Sequence, residues 1–334
     1  MAGYIIRRLI LLLPILFGVS LAVFLVMHLF TVDPAEIILG QHATPEQVAV
    51  VREELGLNKP VYVQFWDYIS RTAHGDLGQS VITKTSITEE LLKRFPATAE
   101  LAVSAILIAS LLGISLGVLS AVKQNSLFDY GAMVVALLGV SMPIFWLGLM
   151  MIIIFSVTLG WLPASGRIAI GFQPENITGL YLLDSVLTGD TESFWNALKH
   201  LMMPAIALGA YSTAIIARMT RATMLETIRQ DYVRTARAKG LREFVVIVKH
   251  ALRNALIPIV TVIGLQMGAL LGGAVLTETV FSWPGIGSYI VEGILVSDYP
   301  RVQGAVLLIG TIFVLVNLIV DLLYCYLDPR IQHN

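Results

Sequence analysis

Six long apolar runs constrain what this 334-residue chain can become more than any other feature. They cover residues 9–30, 98–122, 130–159, 200–222, 255–280 and 304–327. An α-helix rises about 1.5 Å per residue, so about 20 apolar residues cross a hydrocarbon core of about 30 Å. Charged residues make up 13% of the chain, against about a quarter in soluble domains. With 56% hydrophobic residues and a mean hydropathy of +0.79, an all-α integral membrane protein with six transmembrane helices is expected. Residues 9–30 are longer than the roughly 7–15-residue core of a secretory signal, and no small-residue cleavage pattern follows. They read as a retained anchor behind Arg7 and Arg8. Residues 130–159 exceed one membrane thickness, so tilt or a break is expected, with Pro143 as the kink.

Between the fourth and fifth runs lies the chain's one long basic, amphipathic insertion. From Arg218 to Arg253 nine Lys/Arg face three acids, Glu226, Asp231 and Glu243. Short loops this basic face the cytoplasm. With six spans, both termini are then cytoplasmic, and Arg218 and Arg221 can reach the inner headgroups. A short head and first span (1–30), an outer segment (31–97) and a five-span core with a cytoplasmic loop (98–334, loop 223–254) follow. In the outer segment Thr44 caps a helix over 45–55 with Pro45 at its first position. Tyr62, Phe65, Trp66 and Tyr68 mark an aromatic helix over 61–70 suited to the headgroup zone. The loop 160–199 also lies outside, and 281–301 is expected to return outside and fold back into the protein.

Several chemistries are poorly supported. Gly113-Ile-Ser115-Leu-Gly117 matches a nucleophile elbow, yet it lies mid-span without a strand or a turn. The same glycines, like Gly268 and Gly272, have the spacing that lets helices approach closely. No phosphate-binding G-x-x-x-x-G-K-[ST] occurs, the six histidines are scattered, and Cys325 is the only cysteine, so neither ATP binding by this loop, a metal site nor a disulfide is indicated. Asn176-Ile177-Thr178 is a glycosylation sequon by pattern alone. Glu100, Glu278 and Asp321 read as capped or paired residues near span ends. So few intramembrane charges argue against an ion-coupled carrier, and a short basic cluster between two spans argues against nucleic acid.

The basic loop therefore needs a partner. A helix over 233–239 stopped at Gly240 and a second over 243–254 are expected. The second would gather Val245, Val248, Leu252 and Leu256 on one face. Thr235, Ala236 and Ala238, between basic residues, suit a helix sunk in another protein's groove. A surface helix on anionic membrane lipid would want bulkier apolar anchors.

Thr235-Ala-Arg-Ala-Lys-Gly240-Leu, then His250-Ala-Leu-Arg-Asn-Ala255 and Ile257-Pro258, resembles the cytoplasmic signature loop of bacterial ABC-importer permeases. Gly75-Asp-Leu-Gly78, Arg94-Phe-Pro-Ala-Thr98, Ser141-Met-Pro-Ile-Phe-Trp146, Phe281-Ser-Trp-Pro-Gly-Ile-Gly287 and Asp298-Tyr-Pro300 extend the likeness over nearly the whole chain. They narrow it to the B-type dipeptide/oligopeptide branch. The general signature opens Glu-Ala-Ala; here Arg234, Thr235 and Ala236 stand there, and Pro258 falls later than in the general pattern.

The resemblance implies a type I importer permease fold in the bacterial inner membrane and a transporter subunit rather than an enzyme. It implies a second permease as heterodimer partner, one or two cytoplasmic P-loop ATPases that hold ATP and Mg, no cofactor on this chain, and a periplasmic or lipid-anchored binding protein. Val233, Thr235, Ala236, Arg237, Ala238, Lys239, Gly240 and Leu241 would couple to the ATPases. Phe281, Trp283, Pro284 and Gly285 are candidates for binding-protein contact, and Gln266 and Asn317 for the pore lining. Dipeptides or short peptides are the expected substrate, with nickel chelates or glutathione as the alternative and a stand-alone channel or carrier as the rival.

Overall fold

The computed structural model describes residues 2–30, 34–39, 44–54 and 56–327. Residues 328–330, expected on the cytoplasmic side, lie outside the described residues, as do the side chains of Arg7, Arg8 and Asp321. Among the described residues the chain is helical, with one isolated antiparallel bridge between Gln79 and Ser86. Four helices have the length and composition to cross a membrane, or five if one bent pair counts as a span.

The chain divides into two compact units. Ala99–Trp283 with Leu315–Asn334 form the first, and Ala2–Thr98 with Pro284–Val314 the second. In the second unit α1 (Ala2–Phe30) carries the apolar stretch Ile10–Val26. The short α2 (Pro34–Leu39) precedes α3 (Pro45–Glu54). Thr44 and Gln47 cap α3 reciprocally, each backbone N–H donating to the other's side chain, at 3.0 and 3.4 Å. This capping box satisfies two donors at the helix start. The amphipathic α4 (Val61–Ala73) buries Phe65 edge-on against Phe17 and Phe24 of α1, with centroids 5.5 and 5.2 Å apart. Tyr62 and Trp66 stay exposed on its other side.

The same unit has an apolar core. Ile87 and Leu91 of α5 (Ile87–Val122) meet Ile286, Tyr289 and Ile290 of α13 (Ile286–Leu295) and Val302 and Ala305 of α14 (Tyr299–Leu327). Asp298, fully buried, accepts from the Val81 N–H at 3.2 Å and from the Ser80 hydroxyl. Two guanidiniums approach the Tyr289 ring, with Arg94 5.0 Å and Arg301 3.9 Å from its centroid.

The first unit is built on α9 (Thr191–Ile228), whose 38 residues extend about 57 Å at ~1.5 Å each. It packs on α6 (Leu127–Ser141), α7 (Ile144–Met151), α8 (Tyr181–Thr188) and α12 (Arg253–Val280). Its start is capped by Asp190, which accepts from the Ser193 N–H at 3.0 Å and hydroxyl at 2.6 Å. The expected fourth span, 200–222, is thus the middle of a longer helix. Glycine brings α5 and α9 together as the G-x-x-x-G spacing predicts. A Cβ on Gly117 would lie 2.5 Å from Thr220 Cβ, and one on Gly113 2.8 Å from Ile216 Cβ. The second such pair differs, because a Cβ on Gly272 would meet nothing within 4 Å. Ser115 is an exposed residue in mid-helix, not an elbow.

The break expected at Pro143 is larger than a kink. α6 and the helix Ile144–Thr158, which continues α7 through a π-helical stretch, meet at 108°. Proline removes a donor and clashes with the preceding turn, and Met142 is extended with ψ 132°.

Candidate functional site: the basic loop helix and its supports

The loop after α9 folds without slack. Arg229 and Gln230 donate to Glu226 and Thr227 at 3.3 and 3.1 Å, closing α9. The Gln230 carbonyl then accepts from Val233 and Arg234 at 3.1 and 3.2 Å, opening α10 (Asp231–Ala238). Only two residues separate the helices. α10 stops as expected at Gly240, whose φ of +73° is left-handed. Gly240 N–H donates to the Arg237 carbonyl at 2.9 Å and Leu241 N–H to that of Ala236 at 3.4 Å, the Schellman pairing.

The eight residues singled out from sequence separate by face. Val233 is fully buried and Ala236 5% exposed, and together with Val246 they form a small apolar core. Within the coupling segment expected from sequence, these two hold α10 to its own chain. Thr235, Arg237, Ala238, Lys239, Gly240 and Leu241 are exposed, flanked by Tyr232 and Phe244. Thr235, whose hydroxyl donates to the Asp231 carbonyl at 3.0 Å, and Ala238 share the outward stripe at i, i+3 spacing. Arg237 reaches over the turn to Glu243, Nη2 to Oε1 2.7 Å, and this acceptor raises its pKa above the ordinary arginine value. The outward face is small and polar in its middle and basic at its end.

The second loop helix is not separate. From α11 (Glu243–Val245) the chain runs through a π-helical stretch, Val246–Leu252, straight into α12. The expected apolar face is also out of phase. Ile247, Ala251, Ala255 and Ile259, four residues apart, are buried, while Val248 is exposed and Val245, Leu252 and Leu256 are half-buried. The i→i+5 bonding of a π-turn widens the helix and rotates the inward face.

Above the loop sits a contact that sequence reasoning missed. Asp129, 1% exposed at the start of α6, accepts from Arg221 of α9 twice, from Nε and Nη2, both at 2.7 Å. It also accepts from the Asn125 N–H at 3.0 Å and from the Ser120 hydroxyl of α5. Arg221 is thus held by Asp129, and Arg218 is the more exposed of the two arginines. Ser126 to Asp129 has the S-x-x-D pattern of a helix start, with Ser126 accepting from the Asp129 N–H at 3.2 Å. That pattern was the available signal.

On the other side of the unit, Glu100 is paired, as expected of a span-end carboxylate. It accepts from Arg167 Nη2 at 2.6 Å and Nε at 3.0 Å, and from the Leu182 N–H at 2.8 Å. Arg167 also donates to the Gly179 carbonyl at 2.6 Å and lies 3.7 Å above the Tyr181 ring centroid. Asp184 is fully buried; burial raises its pKa, but hydrogen bonds from the Thr178 hydroxyl and the N–H groups of Thr178, Gly179 and Ile177 outweigh this and hold it below the ordinary carboxylate value.

The candidates for binding-protein contact lie mostly inside the fold. Phe281 and Trp283 are each 1% exposed. Phe281 fills a core with Met151, Met203 and Ala207, and its carbonyl accepts from the Gly166 N–H at 2.9 Å. Gly285 is buried in its own unit, where the following N–H, of Ile286, donates to the buried Thr98 hydroxyl at 2.8 Å. Of the four, Pro284 alone is exposed. Aromatic bulk drives this inward turn, as the apolar composition of the stretch foretold. Glu278 is fully buried and engaged. Gln266 is half-buried and accepts from the Ser212 hydroxyl at 3.0 Å; Asn317 is half-buried and has its own partner. Among the described residues no cluster of His, Cys, Asp or Glu could hold a metal ion.

Long apolar helices, a sharply bent helix pair and a basic loop helix between two apolar helices mark a multi-pass membrane protein. Residues 113–333 match the family described as binding-protein-dependent transport system inner membrane component, and residues 1–102 match its N-terminal companion. The chain belongs to this binding-protein-dependent inner membrane family. It is 53% identical to the dipeptide transport system permease DppB of Alkalihalophilus pseudofirmus and 51% to the di/tripeptide permease DppB of Pseudomonas aeruginosa, each over all of both chains. It is 40% identical, again over the full length of both, to the glutathione permease GsiC of Escherichia coli. An inward-facing structure of the MetNI methionine ABC transporter shares the fold, with a TM-score of 0.52 at 19% identity, covering 70% of this chain and 93% of that one. As a membrane component of a binding-protein-dependent ABC system, the chain works with a partner ATPase and a substrate-binding protein.

Proposed function

We propose that the chain is the permease subunit of an ATP-driven importer that carries dipeptides or short peptides, handed over by an extracytoplasmic binding protein, across the inner membrane. The observation that carries this reading is full-length identity above half to permeases named for dipeptides and di/tripeptides. Glutathione is the second reading, supported by the 40% relative. It is itself a tripeptide in which one linkage runs through a side chain.

The topology proposed is six spans, formed by α1, α5, the bent α6–α7 pair, α9, the α11–α12 helix and α14, with both termini cytoplasmic. The basic residues between α9 and α12 support that orientation. A second, different permease completes the translocation path, and Gln266 and Asn317 are candidates for its lining. The binding protein meets the outer segment 31–96. ATP and Mg stay on the ATPases.

The outward face of α10 (Thr235, Arg237, Ala238, Lys239 and the Gly240–Leu241 turn) seats in an ATPase cleft. The two-residue joint to α9 and the Val233–Ala236–Val246 core support a lever: force on that face moves α9 and the helix 243–280 with it. ATP-driven closure of the ATPases then turns an inward-open pathway outward.

The test is reconstitution of this chain with its sister permease, ATPases and binding protein in proteoliposomes. ATP-dependent accumulation of labelled dipeptide, competed by dipeptides more strongly than by glutathione or a nickel chelate, is expected. Flux through this chain alone without ATP would replace the reading with a channel or carrier. Stronger competition by glutathione would move the substrate to the second reading.

A further inference from the structure

We infer that the Asp129–Arg221 pair is a positioning contact that ties the movement of α10 to the turn between α5 and α6. The inference rests on the seating of α10 proposed above and adds a second route by which its motion spreads.

Four hydrogen bonds converge on the Asp129 carboxylate. Two come from Arg221 on α9, one from the Asn125 backbone in the α5–α6 turn and one from Ser120 in the last turn of α5. A bidentate guanidinium–carboxylate fork fixes orientation as well as distance. A point charge such as lysine would fix distance only. Close packing removes play on the same side, because Gly117 lets α5 lie directly on Ala217 and Thr220, one residue before Arg221. Beyond Arg221, α9 runs helical to Ile228, closes on Glu226 and Thr227, and passes into α10 through two residues whose backbone groups are already engaged. From the outward face of α10 to the Asp129 carboxylate no segment is loose.

The Val233–Ala236–Val246 core sends displacement of α10 toward α12. The Asp129–Arg221 fork sends it toward α5 and α6, and α6 ends at the 108° break. Without the fork, the end of α9 could move while the α5–α6 turn lags. ATP would then be hydrolysed without the whole set of spans switching together. A buried charge pair is a poor way to gain stability compared with apolar packing, and fixing register is its best-attested use.

The experiment uses the complete transporter in nanodiscs and proteoliposomes, with three readouts: ATPase co-purification, ATP hydrolysis, and dipeptide uptake per ATP hydrolysed. Asp129→Asn keeps the shape and an acceptor but loses the charge. It is expected to retain the ATPases and hydrolysis while uptake per ATP falls about tenfold, the size of an ordinary coupling between sites. The double variant Asp129→Asn/Arg221→Gln removes the uncompensated charge and is expected to stay equally uncoupled.

Unchanged uptake per ATP in Asp129→Asn would overturn the inference. Recovery in the double variant would also overturn it, because the pair would then matter only through charge balance. So would loss of the ATPases in Asp129→Asn, since the pair would be holding the fold. Failure of the seating reading shows separately, as wild-type ATPase recovery and uptake in Ala238→Trp.

Discussion

Arg237, in the last turn of α10, reaches over the Gly240 turn and donates to both oxygens of Glu243, with Nη2 2.7 Å from Oε1. The pair joins the end of the loop helix to the start of the helix that becomes α12. Both side chains are substantially exposed, so it is worth at most about 1 kcal/mol, and salt screens it. The buried Val233–Ala236–Val246 core, not this ion pair, fixes α10. Arg237→Glu therefore matters chiefly through the face it presents. It is expected to weaken ATPase co-purification while thermal unfolding in detergent shifts little.

Gly240 is constrained by its backbone and not by space. A Cβ there would meet no atom within 4 Å, but φ of +73° costs an L residue roughly 1–2 kcal/mol, less for asparagine. Uptake should rank Gly240→Asn above Gly240→Ala and Gly240→Ala above Gly240→Val. An order following side-chain size, with alanine ahead of asparagine, would mean that room rather than conformation limits the site.

Gly117 presents the opposite case. A Cβ would fall 2.6 Å from the Ala217 carbonyl oxygen, so Gly117→Ala forces α5 off α9 at a cost of about 1–3 kcal/mol. Gly272→Ala meets open space within the chain. Thermal unfolding of the isolated subunit should fall clearly for the first and barely move for the second.

Glu100 and Arg167 form a buried pair, with side chains 6% and 7% exposed. Glu100→Gln leaves a buried guanidinium without its counter-charge and should cost about 3–5 kcal/mol. Breaking the exposed Lys59–Asp67 pair by Asp67→Asn should cost under about 1 kcal/mol. Denaturation of the two variants in one detergent compares them directly.

Asp184 gives the segment between α7 and α9 a pH limit. Its folded pKa lies below its ordinary 3.8, so its contribution is fully present above 3.8 and is lost as pH falls through the depressed value. Protease cleavage within 177–189 should be unchanged from pH 7 to about pH 5 and should rise only below about pH 4. In Asp184→Asn it should be raised already at pH 7 and show no such step.

What sequence alone revealed was local. The Thr44 cap of α3, the break at Pro143, the helix stop at Gly240 and the close-packing role of Gly113 and Gly117 are short-range patterns with one physical cause each. Missed were the contacts whose partners are far apart in sequence. Asp129 and Arg221 are 92 residues apart and Glu100 and Arg167 67, and either pairing requires knowing which helix faces meet. Phase was missed too. Ideal 3.6-residue periodicity puts Val248 inward, and the π-turn puts Ile247 there instead. On α10 the composition marked the helix as a docking element, but only its folding back on Val246 separates the anchors from the face left for a partner.

The most direct test of the central claim, that the exposed face of α10 seats on the ATPase, is site-specific cross-linking in the assembled transporter. Single Ala238→Cys and Ala236→Cys variants would be paired with cysteines scanned along the ATPase cleft. The account predicts that Ala238→Cys cross-links, that its yield changes when ATP is added, and that Ala236→Cys does not react. If Ala238→Cys never cross-links and stays open to a bulky maleimide in the full complex, α10 is not the coupling element and the account is wrong.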